Sequence, residues 1–350
     1  MENRSKVCVT GASSFIGSWL VQKLLRKGHV VHATLRNLEE KWKTQLLKSL
    51  PGADTRLHLF EAELYHPLTF EAAIQGCEFV FLVATPMQHN TNNSQYEDTT
   101  QASVAAVRSI LQSCERSGTV KRVIYTGSVT AASPLKGDGT GFQDFIDESC
   151  WTPLHLSFAW CEDFEKSYVC SKTESEKAAL SYNFKEGKKE FEVVSLACGL
   201  VGGDTLLPSI SLSVRCMISP LTGEKASHRQ LQFLQALLGS VPLVHIEDVC
   251  EAHAFCMEKP SMAGRFLLAS AYPTMQELVD YYTKSYPQLR VIKEVEGDGH
   301  GIGCRSTRMA DMGFRYRYNA QQTLHESVES AKRLGHLENY RSPCQEKKRN

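Results

Sequence analysis

The sequence predicts an α/β fold in which a doubly wound parallel sheet carries a smaller C-terminal lobe. Three observations predict it. The chain opens on a short apolar run that meets a glycine-rich turn and then an amphipathic pattern. Short apolar runs and helical patterns then alternate with brief connections, as in a parallel sheet covered on both faces. Beyond Gly203 this alternation gives way to a serine- and leucine-rich stretch broken by prolines.

The opening unit, KVCVTGASSFIGSWLVQKLL, contains a candidate phosphate-binding turn. Residues 7–10 predict a strand, and the apolar spacing after the turn predicts a helix. Gly11 has the backbone freedom for a sharp turn, and Gly17 lets the helix pack closely on the strand. The amide groups and positive dipole end of the helix then suit a pyrophosphate. We predict a Rossmann dinucleotide site rather than an ordinary strand-to-helix turn, with contacts from Gly11, Ser13, Ser14, Phe15 and Ile16.

The remaining elements follow in chain order. Predicted strands cover residues 29–35, 56–61, 78–84, 121–126, 192–196, 241–244 and 265–270. Predicted helices cover residues 70–75, 99–114, 162–185, 247–258, 275–285 and 324–334. These patterns predict a dinucleotide-binding domain at 1–204, with a return segment at about 240–258, and a lobe at 205–340 that mainly binds substrate. The charged residues 341–350 are predicted to be a disordered tail.

The composition argues against nucleic acid and membranes as binding partners. Lys plus Arg and Asp plus Glu both number 39, so no long-range field attracts nucleic acid or an anionic membrane. The apolar runs are too short to cross a bilayer. The 12 cysteines show neither a C-x-x-C pair nor zinc-site spacing, and no signal-like stretch precedes the first strand. We therefore expect a cytoplasmic protein with reduced thiols, a small-molecule substrate and a monomeric or homodimeric state.

The residue after the second predicted strand distinguishes between the two nicotinamide cofactors. An acid at this point suits the ribose hydroxyls of NAD, whereas an arginine accommodates the 2′-phosphate of NADP. Arg36 stands there, and its guanidinium can bind phosphate through two parallel hydrogen bonds. The sequence therefore predicts NADPH/NADP+. The alternative is a solvated basic helix face, which suits Lys41 and Lys48 better than Arg36.

Tyr168 and Lys172 form the second motif. Residues four apart share one helix face, and Tyr168 alone among the 12 tyrosines has a lysine four positions later. An ammonium group favours the ionised form of a neighbouring phenol, which makes the phenol a better proton donor to a reduced carbonyl oxygen. The lysine can also hold a nicotinamide ribose. The alternative is a common surface pair.

Ser128 follows the fifth predicted strand, at the sheet edge where ligands bind in open α/β folds. Its hydroxyl can bind a substrate oxygen on which negative charge develops. Thr126 is close in sequence and has the same chemistry. The alternative is a hydroxyl that satisfies the backbone of its own loop.

Together these motifs resemble the short-chain dehydrogenase/reductase superfamily in its extended form, and most of all the plant dihydroflavonol, anthocyanidin and cinnamoyl-CoA reductase group. The likeness runs from about Lys6 to Leu334 and includes VTGASSFIGSWL, HATLRN, VKRVIYTGS and YVCSKTESEKAA. The resemblance implies an NADPH-dependent reductase of a flavonoid, phenolic or related carbonyl, C=C or C=N compound. It implies a catalytic set of Ser128, Tyr168 and Lys172. The further cofactor contacts that it implies are Arg36, Lys43, Glu63, Leu64, Val83, Ala84 and Thr85. Tyr168 and Lys172 are expected to contact the cofactor as well, and so are Ala197 and Gly199 at the end of the sixth predicted strand.

Four positions depart from the pattern of these enzymes. Ser14 replaces a glycine of the turn, Gly127 replaces the first serine of Thr-Ser-Ser, and Ala197 ends a strand that commonly carries a proline there. Ser133 stands where dihydroflavonol reductases usually have a substrate-selecting asparagine, which argues against a dihydroflavonol substrate. The expected substrate contacts are Ser133, Leu207, Met217 and Phe233, although core packing explains some of these equally well.

Three other functions remain as alternatives. A hydroxysteroid or a sugar-nucleotide dehydrogenase or epimerase would share the superfamily, but Ser14 and Arg36 argue against the sugar-nucleotide enzyme. A non-catalytic NADP-binding sensor would generally lose the Tyr168 and Lys172 pair. The eight-residue spacing of His245 and His253 is not that of helical metal ligands, so we predict structural roles for both and no metal.

Overall fold

The structure is a computed structural model that describes residues 4–86, 96–187, 190–293, 295 and 299–337, so the predicted tail lies outside the described residues. The strands are β1 Lys6–Val9, β2 Val30–Leu35, β3 Leu57–Glu61, β4 Phe79–Leu82, β5 Arg122–Ser128, β6 Phe145–Ile146, β7 Glu192–Cys198, β8 Leu200–Gly202, β9 Leu243–His245, β10 Gly264–Leu268 and β11 Gly303–Cys304. The helices are α1 Phe15–Arg26, α2 Lys41–Lys48, α3 Ala53–Arg56, α4 Glu71–Ile74, α5 Thr99–Ser117, α6 Asp163–Ser181, α7 Leu212–Met217, α8 Ser219–Thr222, α9 Lys225–Leu238, α10 Ile246–Glu258, α11 Met275–Ser285, α12 Arg308–Asp311 and α13 Ala320–Arg333.

A seven-stranded sheet in the order β10-β7-β5-β4-β1-β2-β3 forms the centre of the fold. The neighbours from β3 to β5 in this order are all parallel. The central strand β4 reads FVFL and is buried throughout, as expected for a strand covered on both faces. The predicted α/β class is confirmed. Because the strands are parallel, the residues that follow β1 to β5 meet at one edge of the sheet.

The chain forms two compact units. The first comprises residues 1–131, 166–197 and 249–266, and the second comprises 132–165, 198–248 and 267 onward. The predicted boundary at 204 and return segment at 240–258 differ from these limits, chiefly because residues 132–165 belong to the second unit. Within that unit β6 pairs with β11, and the Ser133 hydroxyl donates to the Leu237 carbonyl at 2.5 Å.

The second unit contains helices that the sequence analysis did not predict. Residues 212–238 form α7, α8 and α9, with Pro220 at the start of α8 and Gly239 ending α9 at a φ of 73°. Proline fits the first turn of a helix, so the predicted break is a helix start. In the described part of the chain, no helix is long and apolar enough to cross a membrane. The eleven cysteines of that part are all free.

Candidate active site

The predicted phosphate turn lies between β1 and α1. Gly11 has a φ of +62°, and a Cβ on Gly17 would lie 2.2 Å from the Gly11 carbonyl oxygen. Both glycines are therefore required by geometry. Ser14 is the N-cap of α1, and its hydroxyl accepts from the Gly17 amide at 3.1 Å. The departure at Ser14 thus keeps a helix-capping function, for which serine is among the preferred residues.

The first turn of α1 fits a pyrophosphate. The amides of Phe15 and Ile16 have no carbonyl four residues earlier within the helix, so they are available to an external acceptor. The first turn contains no acidic side chain, and the positive dipole end of the helix faces the same point. Ser13 is half-buried beside these groups. The predicted residues of the turn are therefore suitable for the dinucleotide.

Arg36 is exposed directly after β2. Two bonds hold the loop that it begins. Asn37 accepts from the Glu39 amide at 2.7 Å, and the Glu61 carboxylate accepts from the Leu38 amide at 3.1 Å. Among the described residues the Arg36 guanidinium has no ion-pair partner. The guanidinium is therefore accessible to an external phosphate, and its contact with the 2′-phosphate stays a prediction.

Lys43 lies on α2 and is engaged within the chain. Its ammonium pairs with Glu40 at 2.5 Å and lies 5.5 Å from the centre of the Trp42 ring. The ammonium must exchange Glu40 for a phosphate before it can contribute as the resemblance implies. The predicted contact of Lys43 with the 2′-phosphate therefore stays a prediction.

The predicted residues after β3 and β4 lie close together. The Thr10 hydroxyl accepts from the Val83 and Ala84 amides, both at 3.0 Å, and so fixes the chain beyond β4. Leu64, Ala84 and Thr85 line one small cavity together with Thr10. The Glu63 side chain is half-buried, and its amide donates to Thr69 at 3.0 Å.

Lys172 is the best-defined group of the predicted catalytic set. It lies on α6 with 5% of its surface exposed, and its ammonium donates to Thr85 Oγ1 at 2.7 Å and to the Thr126 carbonyl at 3.0 Å. Tyr168 lies one turn earlier on α6 and is half-buried. A buried cation is costly unless polar atoms surround it, so these oxygens hold Lys172 in one place. The four-residue spacing on α6 places Tyr168 and Lys172 on the same face of the helix.

The hydroxyl groups of Ser128 and Thr126 have different hydrogen-bond partners. The Thr126 hydroxyl bonds to His253 Nε2 at 2.8 Å, while Nδ1 of the same ring bonds to the Val249 carbonyl at 2.7 Å. Because burial lowers the pKa of His253 to about 4, this ring is neutral, donates through Nδ1 and accepts from Thr126. Ser128 Oγ instead accepts from the amide and the hydroxyl of Thr130. Both bonds use its lone pairs, so the Ser128 proton is available to a substrate oxygen.

Replacing Ser128 by alanine should lower kcat about 10²-fold, because loss of one donor to a developing oxyanion typically has an effect of this size. Thr126→Ser is the matched control, since it keeps the hydroxyl that bonds His253 and should keep kcat within about twofold. Steady-state kinetics of the two variants test the assignment. A larger loss in Thr126→Ser than in Ser128→Ala would contradict it.

Gly127 and Ala197 are neighbours in space. A Cβ on Gly127 would lie 3.0 Å from Ser195 Oγ and 3.3 Å from the Ala197 Cα. The glycine thus permits the close approach of β5 and β7, which accounts for this departure from Thr-Ser-Ser. Gly199 lies in the second unit, where a Cβ would be 2.7 Å from the Pro242 carbonyl. Cofactor contacts by Ala197 and Gly199 stay predictions.

The predicted substrate contacts lie in the second unit, and most of them are buried. Ser133 is 1% exposed, and besides its bond to Leu237 it accepts from the Leu135 amide at 3.1 Å. Met217 and Phe233 are core residues, whereas Leu207 is half-buried. Core packing accounts for Met217 and Phe233, and Ser133 would have to leave Leu237 to donate to a ligand.

The two histidines of the rejected metal motif lie in different units. His253 belongs to the first unit. His245 belongs to the second, where it pairs with Glu326 at 3.0 Å and stacks on Tyr318. Across the residues that the structure describes, no three His, Cys, Asp or Glu side chains are grouped as a metal ion would need.

The NAD dependent epimerase/dehydratase family model matches residues 7–267. The chain belongs to this family. A candidate anthocyanidin reductase of Ginkgo biloba is 36% identical over 338 residues, which is 95% of each chain. Dihydroflavonol 4-reductase of Callistephus chinensis is 32% identical over 339 residues, 95% of this chain and 87% of that one. These relatives confirm the predicted family and enzyme class, an NAD(P)-dependent oxidoreductase.

Solved structures agree with this placement. The crystal structure of vestitone reductase from alfalfa (Medicago sativa) has a TM-score of 0.77 at 28% identity, and covers 95% of this chain and 100% of its own. A yeast methylglyoxal/isovaleraldehyde reductase complexed with NADPH has a TM-score of 0.74 at 20% identity, and covers 95% and 99% of the two chains. The second likeness shows the shared fold.

Proposed function

We propose that this chain is an NADPH-dependent reductase of an aromatic plant specialised metabolite, in the flavonoid or a related phenolic class. The observation that carries the proposal is the buried Lys172 ammonium, held by Thr85 and Thr126 one turn after Tyr168. A surface pair would need no such anchoring. The family and the named reductase relatives support the same reaction class.

Most of the residues that would bind the cofactor belong to the first unit. Bound NADPH supplies the hydride. The α1 turn would bind its pyrophosphate, Arg36 its 2′-phosphate, and Lys172 its nicotinamide ribose. Leu64 and the residues after β4 would contact the rest of the dinucleotide. Apart from Lys172, which lies on α6, these groups follow the carboxyl ends of parallel strands, and this position supports the assignment.

Three side chains would act on the substrate. Ser128 would donate its hydroxyl proton in a hydrogen bond to the substrate oxygen and so stabilise the negative charge that develops there. Tyr168 would transfer its phenolic proton to that oxygen. The Lys172 charge favours the phenolate that remains. For a C=C or C=N substrate, the hydride would add to one atom of the double bond, and the same phenol would protonate the other atom.

The substrate class follows from what the second unit offers. The Ser133 hydroxyl is bonded on both its donor and acceptor sides, so it is a poor partner for a flavonoid B-ring hydroxyl. A pocket that lacks a dedicated polar partner discriminates weakly among polar substrates and favours apolar ring systems. We therefore propose an anthocyanidin-like or other largely apolar polycyclic substrate in preference to a dihydroflavonol.

We expect kcat/KM for cyanidin to exceed that for dihydroquercetin by about tenfold or more. The measurement is NADPH consumption with these two compounds beside a panel of phenylpropanoid, terpenoid and alkaloid carbonyl compounds. If dihydroquercetin is clearly the best substrate, the chain is a dihydroflavonol reductase and Ser133 does not select as argued. Tight NADPH binding without consumption on any compound would indicate a non-catalytic sensor.

The proposal includes a cytoplasmic location and a monomeric or homodimeric state. The free thiols of the described cysteines support the location, because thiols stay reduced in the cytoplasm. Size-exclusion chromatography with light scattering determines the mass, and a trimer or larger assembly would contradict the proposed state.

A further inference from the structure

Glu176 lies four residues after Lys172 on α6 and is fully buried. Its carboxylate is bound on both oxygens. Arg265 on β10 donates Nε to one oxygen at 2.9 Å and a terminal nitrogen to the other at 3.0 Å. Ser195 on β7 donates its hydroxyl to the first oxygen at 2.6 Å. All of these groups belong to the first unit.

Successive turns of α6 are therefore tied to different parts of the sheet. Lys172 is bonded to β5 and to the chain after β4, while Glu176 is bonded to β7 and β10. A bidentate guanidinium-carboxylate pair restricts rotation as well as distance. An apolar contact between the helix and these strands is non-directional, so it fixes the rotation of the helix less tightly than a bidentate pair does. The Glu176–Arg265 pair therefore favours one rotation of α6 about its axis.

Stability alone is a weak reason for such a pair. Arg265 is 4% exposed, so both charges are removed from water, and the cost of that removal offsets much of their attraction. Well-packed apolar residues of similar volume are often as stabilising or more so. A buried pair is therefore best understood here through the geometry that it imposes on the helix.

We propose that Glu176, held by Arg265 and Ser195, is a positioning residue for Lys172 and Tyr168. The pair sets the rotation and depth of α6, and through them the place of the ammonium and the phenol. Glu176 itself contacts neither cofactor nor substrate. The catalytic part of this inference rests on the proposed reductase function, whereas the part that concerns NADPH binding does not require turnover.

The decisive variant is the double replacement Glu176→Leu with Arg265→Met, which removes both charges and keeps most of the volume. We expect its melting temperature to stay within a few degrees of wild type. We also expect kcat to fall at least about tenfold, because a misplaced catalytic group loses rate steeply. The KM of the carbonyl substrate should change less than threefold. If the double variant keeps both the kcat and the melting temperature of the wild type, the positioning role is wrong and the pair is purely structural.

Ser195→Ala keeps the proposal testable if the double variant fails to fold. It deletes one bond to Glu176 and leaves the ion pair, so we expect a normal melting temperature with kcat lowered about threefold to fivefold. Lys177→Gln is the matched control, because it removes an exposed ion pair with Glu174 on the same helix. We expect it to leave both kcat and the melting temperature unchanged. Equal kcat in Ser195→Ala and Lys177→Gln would contradict the positioning role.

Binding of NADPH is measured separately by fluorescence titration. If Lys172 is displaced, the Kd for NADPH should rise about threefold in Ser195→Ala and more in the double variant. A wild-type protein that binds NADPH but reduces no compound would refute the proposed function only. An unchanged Kd in both variants would then refute the positioning role by itself.

Discussion

Replacing Tyr168 by phenylalanine should lower kcat by about 10²- to 10⁴-fold, the range typical of a lost general acid. The ring stays, so its packing on α6 and the Kd for NADPH should stay within about twofold. Lys172 keeps its bonds to Thr85 and to the Thr126 carbonyl, so α6 should stay in its wild-type position. The expected result is therefore a protein that binds NADPH normally and scarcely turns over.

The measurement combines steady-state kinetics with fluorescence titration of NADPH. Tyr182→Phe is the matched control, since the Tyr182 hydroxyl donates to Glu115 away from the catalytic set and its loss should leave kcat unchanged. Retention of most of kcat in Tyr168→Phe would remove Tyr168 from the catalytic assignment.

Replacing Arg36 by alanine should weaken NADPH binding by roughly ten- to a hundredfold. This range corresponds to the loss of about 1.5–3 kcal/mol for a hydrogen bond to a charged group. NADH lacks the 2′-phosphate, so its Kd should be nearly unchanged. Arg36 is exposed and no described residue forms an ion pair with it, so the change should leave the free energy of unfolding almost unaffected.

Titration of both cofactors against wild type and variant measures the effect. Lys41→Ala is the control, because it removes an exposed positive charge from the start of α2 without removing the guanidinium. An equal loss of affinity for NADPH and NADH in Arg36→Ala would mean that Arg36 does not recognise the 2′-phosphate. An equal loss in Lys41→Ala would mean that general positive charge, and not Arg36, attracts the cofactor.

Local patterns in the sequence were enough to predict several parts of the site. Gly11 and Gly17 were assigned to a sharp turn and a close approach, and both geometries are present. The i to i+4 spacing placed Tyr168 and Lys172 on one helix, which α6 confirms. These predictions succeed because each depends on backbone geometry within a few residues, and short-range geometry follows directly from residue type and order.

Other features depended on residues that are far apart in the chain. Thr126 and Ser128 have the same hydroxyl chemistry, and only the partner His253, 127 residues away, shows that Thr126 is already engaged. The second unit includes residues 132–165, which the sequence analysis placed in the first domain, because this segment bonds to α9 and β11. Periodicity carries no information about such partners, since it records which face is apolar and not what that face meets.

The sequence by itself was enough to predict the α/β class, which the structure confirms, and to propose the phosphate turn, the arginine after β2 and the residue types of the catalytic set. Only the tertiary structure decided how α6 is held against the sheet. Glu176 and Arg265 are 89 residues apart and become partners through the order of strands β7 and β10. Charged residues are usually exposed, so a sequence gives no reason to bury these two. Their burial is decided by the fold, because a charge in the interior is stable only where its partner is also present.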